Sequence, residues 1–219
     1  MEADLDAIIS AAVATSPLRR RQARETLRSV YRVGGFVVKE FAMPARCRRH
    51  RRPWRTEMAA LSRFGAGYCG AALGTAERVE GETRKRFLVK RYIEGTPLEH
   101  LADGDLAGVA RLLARIHSCG VITDDAHPDN FLRTPSGGLE FMDFGRAKVF
   151  PFCPAPAFAV GREFEKLLRE GFGRDEALFG AFFRAYCAET RASAPRRIAI
   201  AAATRIVVML RALRKGRGR

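Results

Sequence analysis

Leu5, Ile8, Ile9 and Ala12 recur at helical spacing, which predicts a short helix over residues 3–14, closed by Ser16-Pro17. Val30-Tyr31-Arg32-Val33 is strand-like and Gly34-Gly35 is a hairpin signal. Phe36-Val37-Val38-Lys39-Glu40-Phe41 then reads as a strand with apolar side chains on both faces, so it is sandwiched and Lys39 needs a partner or a route to water. Residues 51–64 read as a helix, with Pro53 near its start and Gly65 just past its end. Trp54, Met58, Leu61 and Phe64 form its apolar stripe, and Glu57 falls inside that stripe. A carboxylate on a buried face is costly unless paired, and Lys39 is the natural partner. Residues 86–93 form the next strong strand and run into Glu94-Gly95-Thr96-Pro97. Further helices are predicted over 105–119, 163–170, 175–190 and 195–213. The last carries Ile198, Ala202, Ile206, Met209 and Leu213 on one face and a basic end, so it is either a packed helix with a solvated tail or a surface anchor to anionic lipid.

The chain is organised around residues 121–146. Residues 131–134 and 139–142 are short runs with apolar positions, separated by the turn residues Pro135-Ser136-Gly137-Gly138. A hairpin with a four-residue loop pairs Thr134 with Leu139 and Phe131 with Met142, and places Asn130 opposite Asp143. An amide oxygen and a carboxylate then meet at its open end, and Asp125 lies five residues before Asn130. Two hard oxygen ligands with a further carboxylate nearby suit Mg²⁺ with phosphate. Gly145 lets the backbone turn away after Asp143-Phe144. His117 reads as a structural histidine, and His127, before Pro128, as a loop-shaping one.

Charge sharpens this picture. The 219 residues carry a formal net charge of +15, which calls for an anionic partner or surface. Six of the ten residues 46–55 are arginine, more than solubility requires. Trp54 lies on the buried stripe of its helix, so no aromatic platform accompanies the charge and no nucleic acid is expected. The five cysteines form no C-x-x-C pair, which fits a reducing compartment better than a disulfide framework or zinc site. The acidic start Met1-Glu2-Ala3-Asp4 is unlike a signal peptide, and no apolar run reaches the ~20 residues of a spanning helix.

Asp125-x-x-x-x-Asn130 followed by Asp143-Phe144-Gly145 resembles the catalytic loop and metal-binding motif of protein-kinase-like phosphotransferases. The resemblance implies an α+β, two-lobed fold over residues 1–219. It has an antiparallel-sheet N-lobe to about residue 93, a hinge at 94–97 and a minimal helical C-lobe. It places Asp125 as catalytic base, Asn130 and Asp143 as Mg²⁺ ligands, and Lys39 as the phosphate-positioning lysine held by Glu57. The hinge at Glu94 would receive the adenine of ATP. Two positions depart: Thr123 stands where the family usually has His, and no Gly-x-Gly-x-x-Gly precedes Ser29.

Ser29-Val30-Tyr31-Arg32-Val33, Trp54-Arg55-Thr56-Glu57 and Phe182-Phe183-Arg184-Ala185-Tyr186, with the compact size, make the chain similar to the bacterial lipopolysaccharide kinase family of Kdo/WaaP type. That resemblance implies phosphorylation, with ATP, of a sugar hydroxyl of the lipopolysaccharide inner core. The enzyme would be cytoplasmic, in peripheral contact with the anionic inner-membrane face. The alternatives are a small-molecule kinase of the aminoglycoside or choline type, which shares Asp125-x-His127-Pro128-x-Asn130, an atypical protein kinase, and a non-catalytic pseudokinase.

Overall fold

A computed structural model describes residues 4–23, 26–45, 53–65 and 68–216. Residues 46–52, which hold most of the arginine-rich run, lie outside these, as do residues 24–25 and 217–219. The chain divides into two compact units after Ile93.

The first unit is a sheet covered on both faces. Helix α1 (Leu5–Val13) is capped by Asp4, whose carboxylate accepts the backbone N–H groups of Asp6 and Ala7 at 3.0 and 3.3 Å. Strands β1 (Arg19–Ala23), β2 (Thr26–Val33) and β3 (Phe36–Pro44) precede helix α2 (Pro53–Phe64), and β4 (Ala72–Glu80) and β5 (Thr83–Arg91) follow it. All five strands form one antiparallel sheet in the order β1-β2-β3-β5-β4. Strand period does the sorting. Val38, Phe87, Val89 and Tyr31 pack with Ile9 and Ala12 of α1. Phe41, Met43 and Leu88 pack with Trp54 of α2. The period-two alternation therefore turns Lys39 toward α2 and Glu40 toward α1, where Glu40 accepts from the Tyr31 hydroxyl at 2.6 Å.

The second unit is mainly helical. It comprises β6 (Thr96–Pro97), α3 (Leu106–Ser118), β7 (Val121–Ile122), β8 (Phe131–Arg133), β9 (Leu139–Phe141), β10 (Lys148–Val149), α4 (Ala157–Glu170), α5 (Glu176–Glu189) and α6 (Ala194–Gly216). β6, β8 and β9 form a small antiparallel sheet, and β7 pairs with β10. Phe164 of α4 is the hub of the core, with ring contacts at 5.0 Å to Phe182 and 4.8 Å to Tyr186. Helices α4 and α6 cross closely because a Cβ on Gly161 would lie 2.6 Å from that of Ala203. Among the described residues no helix is long and apolar enough to cross a membrane.

Three details differ from the pattern reading. The β8–β9 hairpin is shifted by one residue: Phe131 pairs with Phe141 and Arg133 with Leu139. Thr134 and Gly138 close the loop, with Thr134 N–H donating to Gly138 at 2.9 Å and Gly137 at φ 82°. Asn130 therefore faces Met142, whose N–H it accepts at 2.9 Å, and Asp143 lies one residue beyond. Helix α4 starts six residues earlier than the predicted 163, since Gly161 is a helix contact and not a breaker. Finally, the apolar stripe of α6 faces solvent: Ile198, Met209 and Leu213 are 69%, 55% and 57% exposed, while Ile200, Ala203 and Thr204 make the packed face.

Candidate active site

In the first unit, Lys39 and Glu57 are both buried and meet directly. The ammonium of Lys39 donates to both oxygens of Glu57 at 2.6 and 2.8 Å. A second buried lysine, Lys90 of β5, donates to the same carboxylate at 3.0 Å. Two ammonium groups share this one carboxylate, since a buried charge survives only when paired. The sequence reading missed Lys90. The signal was present: two residues beyond Leu88 on the same strand, it falls on the face that packs against α2.

In the second unit, the segment from Thr123 to Gly145 holds three of the anticipated site residues. Asp124 sits in the left-handed region at φ 53°, a strained conformation that Asp tolerates better than most residues. It is tied down by Lys148 at 3.0 Å and Arg162 at 3.4 Å. The carbonyl of Asp125 then accepts the N–H of His127 and the side-chain amide N–H of Asn130, both at 2.8 Å. With the amide nitrogen of Asn130 committed inward, its oxygen is the atom left to offer a cation. His127 shapes the loop, its Nδ1 accepting the N–H of Asp129 at 3.4 Å. Asp143 accepts the N–H of Gly145 at 2.9 Å through one carboxylate oxygen. Phe144 is buried with its ring 5.1 Å from that of Phe141, which anchors the turn. The donors of Asn130 and Asp143 are hard oxygens, the kind Mg²⁺ takes together with phosphate oxygens. Glu94 is exposed, and Gly95 beside it has no room for a side chain, as a Cβ would lie 2.7 Å from the carbonyl of Arg133.

Helix α4 holds this loop by two residues that the sequence reading did not single out. Lys166 donates to the carboxylate of Asp125, and Arg146 lies 3.7 Å from the same oxygen. Glu163, one turn earlier, accepts from the hydroxyl of the fully buried Thr123. Glu163 also meets Nε2 of His117 at 2.7 Å, and Nδ1 of His117 meets the Tyr186 hydroxyl at 2.9 Å. A neutral imidazole satisfies every group. Tyr186 donates to Nδ1, Nε2–H donates to Glu163, and Thr123 donates to Glu163 and accepts the Asp125 N–H at 3.3 Å. Burial pushes the Tyr186 phenol above its ordinary range, which keeps it a donor. At Thr123, where the resemblance would place a histidine, α4 supplies the carboxylate that the shorter side chain's hydroxyl can reach. Glu163 stands beside Phe164 and Leu167 on the buried side of α4, so the argument applied to Glu57 would also have found it.

No protein-family model matches the chain. It is 32% identical over 89 residues to the serine/threonine-protein kinase PknA of Mycobacterium tuberculosis, and equally to that of Mycobacterium bovis. That match covers 35% of this chain and 20% of PknA. Among solved structures, a co-crystal structure of WbdD with the kinase inhibitor LY294002 superposes with a TM-score of 0.50 at 18% identity, over 84% of this chain and 49% of that one. The bifunctional kinase-methyltransferase WbdD gives 0.48 at 18% identity, over 87% of this chain and 52% of that one. The chain thus spans about a fifth of the curated relatives it matches and about half of the solved ones. The first superposition shows the fold alone: an antiparallel-sheet unit and a helical unit, as in that structure.

Proposed function

We propose that this chain is an ATP-dependent phosphotransferase acting on an alcohol group, and that the acceptor is a sugar hydroxyl of the lipopolysaccharide inner core. The observation that carries the phosphotransferase reading is the loop from Thr123 to Gly145, in which Asp125, Asn130 and Asp143 are each held by specific hydrogen bonds. In this reading residues 1–219 are one kinase-like domain with its hinge at 94–97, where the backbone beside Glu94 receives adenine. Lys39, fixed by Glu57, positions the α- and β-phosphates. Asp125 orients the acceptor hydroxyl and takes its proton, while Lys166 keeps the carboxylate in place. Asn130 and Asp143 would hold Mg²⁺, which when bound neutralises charge on the phosphates. Such catalysis is positioning and charge stabilisation.

Helix α6 supports an anionic, membrane-borne acceptor. Its outward stripe of Ile198, Ile206, Met209 and Leu213 is flanked by Arg205 and Arg214, and residues 194–216 include no acidic residue. An apolar stripe with basic flanks suits the interface of an anionic bilayer, here the cytoplasmic face of the inner membrane. A small-molecule acceptor is the second reading, favoured by Asp125-x-His127-Pro128-x-Asn130. The test is ATP turnover by the purified protein with and without a lipid A–core acceptor. Stimulation by the glycolipid is expected. Turnover with soluble alcohols alone moves the acceptor to the second reading, and ATP binding without turnover on any acceptor refutes catalysis.

A further inference from the structure

A cavity of about 470 Å³ lies in the second unit, where the end of α3, the end of α5 and the start of α6 converge. Arg111, Arg115, Arg191 and Arg196 line it, against the single carboxylate of Glu189. Glu189 pairs with Arg111 at 3.2 Å. Guanidinium groups stay charged at every accessible pH, so the cavity carries a standing positive charge. The carbonyls at the end of α5 do not offset it, being capped by the chain itself. Arg191 N–H donates to Ala188 and Ala192 N–H to Cys187, both at 3.1 Å, and Thr190 N–H donates to Tyr186 at 3.0 Å. The start of α6 opens at the rim, where the aligned peptide dipoles add to the positive field.

Arg191 is the telling residue. It occupies the position after the cap of α5 at φ 47°, where the closing motif favours glycine. The chain places a strained arginine there, and its side chain lines the cavity. The floor is His117 and Tyr186, the near end of the buried chain of hydrogen bonds that reaches Thr123. The walls add the apolar surfaces of Ala114 and Pro154. We infer that this cavity binds a phosphorylated small molecule, its phosphate between the guanidinium groups and its body against the apolar wall. The site belongs wholly to the helical unit and is independent of the phosphotransferase reading.

Cys153 is exposed and lines the cavity, whereas Cys69 is exposed in the first unit, so one protein carries both a reporter and a control. The experiment follows N-ethylmaleimide labelling of each by peptide mass spectrometry, with inorganic pyrophosphate as probe and potassium chloride at equal ionic strength as control. Pyrophosphate at millimolar concentration is expected to slow labelling of Cys153 at least about fivefold and to leave Cys69 unchanged. Arg191→Gly suits φ 47° better than arginine, so this variant is expected to fold at least as stably as the parent. It is nevertheless expected to raise the half-protecting concentration about tenfold, the loss of one charge-assisted contact. Arg115→Ala, at an exposed position, is the second variant and is expected to do the same. Equal labelling of Cys153 in pyrophosphate and chloride overturns the inference, as does parent-like protection in both variants.

Discussion

Replacing Glu163 by Gln keeps the volume and removes the charge at the centre of the Thr123–Glu163–His117–Tyr186 chain. The carboxylate accepts from two donors, the Thr123 hydroxyl and His117 Nε2–H. A Gln offers one acceptor oxygen and one NH₂, so the NH₂ faces a group that is itself a donor. Reversing the imidazole tautomer would aim Nδ1–H at the Tyr186 oxygen and leave the Tyr186 hydroxyl without its acceptor. One buried donor is left unpaired in either arrangement. The cost is about 1–3 kcal/mol for that donor, and roughly another 1 for the lost charge assistance. A total of about 2–4 kcal/mol corresponds to a fall in Tm of roughly 5–15 °C for a chain of this size. Thr123→Val removes the donor to Glu163 and the long, weak acceptor of the Asp125 N–H, and should cost about 1–2 kcal/mol. Because the two residues touch, the double variant should cost less than the sum by about 1 kcal/mol or more. Urea and thermal denaturation of the four proteins measures the cycle. The reasoning fails if Glu163→Gln melts within ~2 °C of the parent, or if the two costs add to within ~0.5 kcal/mol.

Tyr186 gives a pH test: its native phenol lies above the unfolded value of ~10, so its stabilising contribution is full below pH ~10 and is lost as pH rises through the native value, and the stability difference between parent and Tyr186→Phe should shrink above pH ~10 in denaturant titrations. Lys166→Met should lower kcat by roughly 100-fold with little change in KM for ATP, since it removes the cation that donates to the Asp125 carboxylate and leaves only the more distant Arg146; unchanged kcat in steady-state assays would remove Lys166 from the site. Asp143→Ala should abolish Mg²⁺-dependent turnover and Asp125→Asn should keep ATP binding but lose turnover, each with an unchanged circular dichroism spectrum; parent-like turnover in both variants would refute the loop assignment. Ile206→Glu with Leu213→Glu, both on exposed positions of α6, should abolish salt-sensitive flotation with vesicles containing anionic phospholipid, and binding that ignores lipid charge would dismiss the membrane reading.

Local chemistry wrote the elements into the sequence. Helical spacing announced α1, α2 and α3, and Glu57 within the stripe of α2 announced a buried carboxylate that had to find Lys39. That Asp125, Asn130 and Asp143 sit on one short, hydrogen-bonded segment was legible too, because those positions are set by short stretches of backbone. The hairpin register was not legible, since side-chain alternation permits either pairing and the hydrogen bonds between Thr134 and Gly138 make the choice. The outward face of α6 was not legible either. Both of its faces are apolar, and only the groove at Gly161 on α4 decides which is buried. The partners of the site residues lie far along the chain: Glu163 is 40 residues from Thr123 and Lys166 is 41 from Asp125, and in the first unit Lys90 is 33 from Glu57. No periodicity reaches across such distances. Packing decides them, because a charge buried by one element must be matched by whichever element the fold sets against it.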